Sequence, residues 1–179
     1  MTMQGREILL GVTGGIAAYK AAMLASRLVQ AGAGVTVIMT RSATELVRPR
    51  TFEALTGRPV RTEMFDATKI HTHLELARDA ELLCIAPATA NILGKMAGGI
   101  ADDLLSTVYL SFRGPVVVAP AMNCEMWEKI AVQRNCEQLQ DDGVLFVGPE
   151  SGRLSCGEVG LGRMAEPEQI FQVLQATLA

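Results

Sequence analysis

The 179-residue sequence has no dense run of one charge: 16 Lys and Arg residues are set against 19 Asp and Glu, for a net charge of −3. Without a Lys/Arg block there is no electrostatic footprint for nucleic acid or for an anionic membrane surface. No apolar run approaches the roughly 20 residues that span a bilayer, and residues 1–6 are too short and polar for a signal peptide. We therefore expect a cytoplasmic protein that binds neither nucleic acid nor membrane.

Cysteines are few and are not spaced as ligands. None of the four, Cys84, Cys124, Cys136 and Cys156, forms a Cys-x-x-Cys pair, so the pattern argues against a zinc site and against a disulfide framework. We expect free thiols and no metal. The sequence also has no internal repeat, low-complexity tract or linker, and 49% of its residues are hydrophobic. A single domain over residues 1–179 is therefore predicted.

The hydrophobic pattern alternates short β-branched or leucine-rich runs with longer amphipathic stretches. This alternation predicts an α/β fold, a doubly wound and mostly parallel sheet of the Rossmann-like kind. The predicted strands are 7–12, 34–39, 81–86, 115–119 and 144–147, and the predicted helices are 16–31, 88–97, 104–112, 128–142 and 168–178. Residues 151–164 are rich in glycine and lack apolar periodicity, so a long, flexible loop is expected there.

A glycine-rich turn, GVTGGIAAYK at residues 11–20, connects the first predicted strand to the first helix. Backbone N–H groups in such a turn can bind a phosphate at the positive end of the helix. The turn is not G-x-G-x-x-G, and the second strand ends without an Asp or Glu for a ribose hydroxyl, which disfavours a dinucleotide. The hydroxyls of Thr40 and Ser42 suit a phosphate or a sugar-alcohol chain, which favours a mononucleotide such as FMN. Alternatively, the glycines serve only close packing of helix against strand.

The octapeptide PAMNCEMW at residues 120–127 follows the fourth predicted strand and includes the single tryptophan. Open α/β sheets bind ligands at the carboxyl edge, where this segment would lie. The amide of Asn123 both donates and accepts hydrogen bonds, so it can bind a carboxylate or a flavin carbonyl without adding charge. The alternative is a strand-to-helix turn in which Asn123 is the N-cap and Met126 and Trp127 lie in the core.

Five segments together resemble the flavin-containing cysteine decarboxylases, and among these the bacterial enzymes that act on phosphopantothenoylcysteine. The segments are GGIAAYK at 14–20, HLELA at 73–77, APATAN at 86–91, PAMNCEMW at 120–127 and GEVGLGRM at 157–164. The resemblance extends in order from about residue 7 to the end of the chain. It implies an FMN enzyme that removes CO2 from the cysteine end of 4′-phospho-N-pantothenoylcysteine and yields 4′-phosphopantetheine for coenzyme A synthesis.

The resemblance also implies how the carboxylate leaves. A cysteine carboxylate has no electron sink, so direct loss of CO2 would leave an unstabilised carbanion. In this family FMN first takes a hydride from the thiol-bearing carbon, and the resulting thioaldehyde lets CO2 depart with its charge spread onto sulfur. The cofactor supplies the redox chemistry, and the protein supplies orientation and electrostatics.

Three catalytic residues follow from the matched motifs. His73 corresponds to the family's active-site base or charge partner, a role that suits a side chain titrating near neutral pH. Asn123 corresponds to the residue that binds the substrate carboxylate, and Cys156 to the flap thiol that supplies a proton. The alternatives are a surface or capping role for His73 and no role for Cys156. His71 would share a face with His73 if the segment were extended.

The cofactor-binding residues come from the same motifs together with the two hydroxyls after the second strand. They are Gly14, Gly15, Ile16, Ala17, Thr40, Ser42, Pro87, Ala88, Thr89, Ala90, Asn91 and Met122. By resemblance, residues 87–91 meet the flavin across a subunit boundary, and the enzyme forms a homotrimer or a dodecamer. Relatives are commonly fused to a phosphopantothenoylcysteine synthetase domain, so such a domain is a possible partner.

Two other functions stay open. One is an oxidative decarboxylase of a peptide's C-terminal cysteine, and the other is a non-catalytic flavin-binding regulatory protein. Peptide-modifying relatives release an unsaturated enethiol and lack the cysteine step, so Cys156 favours the small-molecule reaction.

Overall fold

A computed structural model describes residues 3–65, 72–153 and 157–179. Its central sheet contains β1 (Glu7–Val12), β2 (Gly34–Met39), β3 (Leu82–Ala88), β4 (Val116–Pro120) and β5 (Leu145–Phe146), all paired in parallel. The strand order is β2-β1-β3-β4-β5, which confirms the predicted α/β fold. Parallel strands covered on both faces are apolar along their length, which is why these runs could be recognised in the sequence.

The helices in the described ranges are α1 (Ala18–Gln30), α2 (Arg41–Thr44), α3 (Pro49–Thr56), α4 (Thr72–Asp79), α5 (Ala90–Ala97), α6 (Leu104–Ser111), α7 (Cys124–Trp127), α8 (Ile130–Asp141) and α9 (Pro167–Thr177). The five predicted helices are confirmed, with ends that differ from the prediction by at most two residues. The other four were not predicted; of these, α2 and α7 have only four residues each and are too short for an amphipathic repeat. None of the helices described here has the length and apolar character that crossing a membrane requires.

Two apolar clusters cover opposite faces of the sheet. Leu10 of β1 belongs to a cluster that includes Leu24 of α1 and Phe171 of α9. Its neighbour Leu9 belongs to a second cluster that includes Leu105 and Leu139. Successive side chains of a strand point to opposite faces, so the doubly wound arrangement buries both faces of β1. Cys84 of β3 is fully buried, and this burial raises the pKa of its thiol to about 12.

The loop expected at residues 151–164 is wrong for the described part of that segment. The strands β6 (Glu150–Arg153) and β7 (Val159–Arg163) form an antiparallel pair with Gly152 opposite Gly160; residues 154–156 lie outside the described residues. Most side chains of this hairpin are exposed, so its sequence lacks the alternation of a half-buried strand. Met122 N–H donates to the carbonyl of Gly162 at 3.0 Å and joins the hairpin to the exit of β4.

Candidate active site

The strand order creates a crevice at the carboxyl edge of the sheet. The chain leaves β1 toward β2 on one side and leaves β3 toward β4 on the other, so the two connections diverge at the topological switch point. A cavity of about 620 Å³ opens there, within the range of about 300–1,000 Å³ that is typical of small-molecule and cofactor sites. Its lining residues are Gly14, Gly15, Ile16, Ala17, Tyr19, Lys20, Thr89, Ala90, Ala121, Met122, Asn123, Met126, Arg153, Gly162, Arg163 and Met164.

A second, slightly larger groove lies on the outer side of α1 and α9. Its volume is about 680 Å³, and none of its lining residues comes from a strand end. Its polar side chains include Arg27 and Glu168, which pair with each other at 3.0 Å. The crevice at the sheet edge, where backbone and side-chain polar groups converge, is therefore the better candidate for chemistry.

The glycine turn after β1 fits an anionic group. A Cβ at Gly14 would collide with the Cβ of Ser42, and one at Gly15 would contact Pro87 at 3.4 Å, so the turn packs closely against the exits of β2 and β3. Helix α1 begins without a side-chain cap at Ala17 and without an acidic residue in its first turn. An uncapped helix N-terminus facing a cavity favours a phosphate, as a mononucleotide requires.

The structure divides the predicted cofactor residues into two groups. Those that line the cavity are Gly14, Gly15, Ile16, Ala17, Thr89, Ala90 and Met122. Of the rest, Ser42 lies against Gly14, while Thr40 is the N-cap of α2, with its hydroxyl accepting from Ala43 N–H at 3.4 Å. Pro87 and Ala88 end the buried strand β3, and Asn91 is exposed on α5. Cofactor contact by either group stays a prediction.

Thr13 was missed by the sequence analysis and joins the two strand exits. Its buried hydroxyl donates to the carbonyl of Pro87 at 2.6 Å and accepts from the N–H of Thr89 at 3.2 Å. These bonds fix the turn after β1 relative to the segment after β3, across the switch point. The sequence signal that could have identified Thr13 is its position as a polar residue directly after the apolar strand β1.

Asn123 is oriented by its own helix. It is the N-cap of α7: its Oδ1 accepts from the N–H of Glu125 at 2.8 Å. Its Nδ2 donates to the carboxylate of Glu158 at 2.6 Å. Because Oδ1 accepts from the backbone, the Nδ2 end of the amide is the end that donates to a carboxylate, here that of Glu158. The N-cap role of Asn123 is thus confirmed, and the same geometry is compatible with the binding role.

The two apolar residues of the octapeptide differ in their surroundings. Trp127 packs against the core, as the capping alternative predicted. Met126 is 47% exposed and lines the cavity, so the expectation that it lies in the core is wrong. Helix α7 has only four residues, and none of them is buried.

A buried ammonium connects α1 to the end of the hairpin. Lys20 is 7% exposed, and its Nζ donates to the carbonyl of Met164 at 3.1 Å and to Glu166 Oε1 at 2.9 Å. The same carboxylate oxygen accepts from Arg163. Hydrogen bonds from Lys20 and then Arg163 lower the pKa of the Glu166 carboxyl. This cluster fixes the position at which β7 leaves the cavity.

Replacing Lys20 with Met is expected to lower the free energy of unfolding by about 1–3 kcal/mol, because hydrogen bonds to charged groups contribute that much. Urea denaturation would measure the change. Arg50→Met is the matched control: Arg50 is 90% exposed in its pair with Glu53, and exposed pairs contribute about 0–1 kcal/mol. Equal losses in the two variants would contradict a structural role for Lys20.

The structure places His73 in the first turn of α4. The extended segment considered for this region is therefore wrong from residue 72 onward, while His71 lies outside the described residues. Because α4 leads into β3, it runs antiparallel to the strands, and its first turn lies toward the carboxyl edge. His73 is not among the residues that line the cavity. Cys156 also lies outside the described residues.

The sequence of this chain is similar to those of known proteins. A family model described as Flavoprotein matches residues 1–179. The coenzyme A biosynthesis bifunctional protein CoaBC of Bacillus subtilis is 48% identical over 179 residues, covering 99% of this chain and 44% of that protein. Its Escherichia coli counterpart is 43% identical over 178 residues, covering 98% of this chain and 44% of that protein. The chain thus spans less than half the length of these curated relatives.

Solved structures are similar over the whole chain. A PPC decarboxylase mutant complexed with pantothenoylaminoethenethiol has a TM-score of 0.86 and 30% identity, covering 98% of this chain and 99% of that one. The FMN-dependent cysteine decarboxylase SpaF has a TM-score of 0.83 and 34% identity, covering 98% of both chains. These comparisons confirm the resemblance that the five motifs indicated.

Proposed function

Because the chain belongs to the flavoprotein family, we propose that it binds FMN and decarboxylates 4′-phospho-N-pantothenoylcysteine to 4′-phosphopantetheine. The main support is Asn123, which lines a cavity together with a phosphate-compatible glycine turn. Its amide donates to the side-chain carboxylate of Glu158 and so can donate to a substrate carboxylate in the same way. The solved PPC decarboxylase, which is similar over its full length, supports the same substrate. The cytoplasm is the expected location of such a biosynthetic enzyme.

The cofactor would lie along the turn after β1. Its phosphate would meet the N-terminus of α1 near Gly14 and Gly15, and Met122 would line the remainder of its pocket. When bound, FMN supplies a hydride acceptor for the thiol-bearing carbon of the substrate and later returns the hydride. The chain itself then has to orient the cysteine end, exclude water and move protons.

Asn123 suits the departing carboxylate because its amide is neutral. A cationic side chain would stabilise the ionised carboxylate strongly, and that stabilisation would be lost as CO2 forms. Only interactions that are stronger in the transition state than in the ground state accelerate the reaction. An amide fixed by the Glu125 N–H positions the carboxylate at a smaller ground-state cost.

The two other catalytic roles concern protons. His73 would take the thiol proton as the substrate is oxidised, since an imidazole exchanges protons near neutral pH. Cys156 would protonate the enethiol carbon while the hydride returns, which makes the overall reaction redox-neutral. A released enethiol, two hydrogens lighter, would be the product without this step.

A complete site would need a second copy of the chain. His73 does not line the cavity of one chain, and a homotrimer or dodecamer would bring α4 of one subunit to the cavity of another. Ile16 and Tyr19, beside the glycine turn, are 61% and 56% exposed, as suits residues covered by a neighbouring subunit. A phosphopantothenoylcysteine synthetase domain is the corresponding functional partner, since the curated relatives are bifunctional.

The product mass tests the proposed function. Purified yellow protein is expected to convert phosphopantothenoylcysteine to 4′-phosphopantetheine with release of CO2. Mass spectrometry of the product would measure this conversion. A product two hydrogens lighter would instead support an oxidative decarboxylase. Bound flavin without any turnover would leave the non-catalytic regulatory function and overturn the proposal.

Cys156→Ser is expected to stop the reaction after CO2 loss, because a serine hydroxyl is a far weaker acid than a thiol with a pKa of about 8.5. The unsaturated enethiol should then accumulate in place of 4′-phosphopantetheine, as a peak two mass units lower. Cys136→Ser, a cysteine of α8 away from the cavity, is the matched control and should give the reduced product. Reduced product from Cys156→Ser at the normal rate would contradict the proton-donor role.

A further inference from the structure

Cations line the cavity, and no carboxylate does so among its described lining residues. The cations are Lys20, Arg153 and Arg163. Two of them are already engaged in ion pairs, because Lys20 and Arg163 both donate to Oε1 of Glu166. Arg153 is exposed and forms no ion pair or hydrogen bond with the described residues. Within the ranges described, it is therefore the one lining cation that has no ion-pair partner.

The proposed reaction places three anionic groups in this crevice. The cofactor phosphate has the N-terminus of α1 and the glycine turn, and the substrate carboxylate has the amide of Asn123. The remaining anion is the substrate's own 4′-phosphate, which carries between one and two negative charges at neutral pH. An arginine matches a phosphate especially well, because its planar guanidinium donates two parallel hydrogen bonds.

Arg153 lies on the exposed hairpin and lines the crevice from its solvent side. Arg153 ends β6 opposite Val159 in the hairpin. The same hairpin contacts Asn123 through Glu158, and its Gly162 carbonyl accepts a hydrogen bond from the Met122 N–H. A substrate whose cysteine end reaches Asn123 inside the crevice would leave its charged phosphate at the solvent side, where the exposed Arg153 side chain can reach it.

We propose that Arg153 binds the 4′-phosphate of the substrate and so makes the site selective for the phosphorylated compound. This inference rests on the proposed function and adds a residue for substrate selection. It also gives the hairpin a role in recognition in addition to covering the crevice.

The test compares phosphopantothenoylcysteine with unphosphorylated pantothenoylcysteine on the FMN-loaded enzyme. Arg153→Gln is expected to raise KM for the phosphorylated compound about 10- to 100-fold, the range for losing a hydrogen-bonded charge contact. Its kcat, and its KM for the unphosphorylated compound, should stay close to wild type. Arg153→Lys should recover part of the loss, and Arg134→Gln, an exposed arginine of α8, should change neither KM.

Equilibrium binding gives a readout that does not depend on turnover. Calorimetric titration should show that Arg153→Gln weakens 4′-phosphopantetheine and leaves pantetheine unchanged. Equal losses for both compounds would mean that Arg153 supports the hairpin fold, and equal KM values for both substrates in the wild-type enzyme would mean that no phosphate subsite exists. Either result overturns the inference while the decarboxylase function stands. If the wild-type protein decarboxylated neither compound, the proposed decarboxylase function itself would be overturned.

Discussion

Replacing Asn123 with Asp is expected to abolish decarboxylation while leaving FMN bound. Aspartate is as good an N-cap as asparagine, so the bond to the N–H of Glu125 and the start of α7 should survive. The Nδ2 donor is lost, however, and a negative charge takes its place beside Glu158 and the incoming carboxylate. Like charges placed together cost several kcal/mol, so kcat/KM should fall by about 1,000-fold or more, measured by product formation.

Asn123→Ser separates the loss of the donor from the added charge. Serine also caps helices and is neutral, but its hydroxyl cannot accept from the Glu125 N–H and reach a carboxylate as the amide does. We expect a smaller loss of kcat/KM than in Asn123→Asp and an unchanged flavin absorbance. Loss of the yellow colour together with activity in both variants would show that Asn123 maintains the cofactor pocket and does not bind the substrate.

The two interpretations of Asn123 were posed as alternatives, yet the structure shows that they are compatible. The Oδ1 end caps α7, and the Nδ2 end donates to the carboxylate of Glu158. A side-chain amide has separate donor and acceptor ends, and a sequence does not show which partner each end finds. The capping bond to Oδ1 therefore also orients the Nδ2 donor of Asn123.

The strands were predictable because a strand buried on both faces is a nearly continuous apolar run in the sequence. The bounds of β1 and β2 agree with the sequence prediction at both ends, Glu7–Val12 and Gly34–Met39. Helix α3 was missed although Pro49 at its start and Gly57 after its end are typical signals. Among its eight residues only Phe52 is buried, so this helix lacks the buried apolar stripe by which the eight-residue helices α5 and α6 were recognised. The hairpin was missed because its exposed strands need no apolar alternation.

The site was predictable where the chain order alone brings residues together. The turn after β1, the start of α5 and the exit of β4 converge because parallel strands end at one edge. The contacts of Thr13 and Lys20 were not predictable, since their partners lie 74 and 144–146 residues away in sequence. Nothing local distinguishes Lys20 from an exposed lysine of an amphipathic helix.

His73→Asn is expected to abolish turnover with FMN still bound. His73 lies in the first turn of α4, where asparagine has a helix propensity similar to that of histidine, so the fold should be unaffected. Asparagine can donate and accept hydrogen bonds but cannot take up a proton near neutral pH. General acid–base catalysis contributes about 100- to 10,000-fold, and kcat should fall by a factor in that range, with the flavin absorbance and Tm unchanged.

His71→Asn is the matched control, because it removes the other histidine of the chain. Near-normal kcat in His71→Asn together with loss in His73→Asn would assign the base to His73. The reverse pattern would move the base to His71. Because His73 does not line the cavity of its own chain, mixing inactive His73→Asn with inactive Asn123→Asp should restore part of the activity if subunits exchange. Restoration requires one subunit to supply His73 to the Asn123 of another; its absence in verified mixed oligomers would place both residues in one subunit's site.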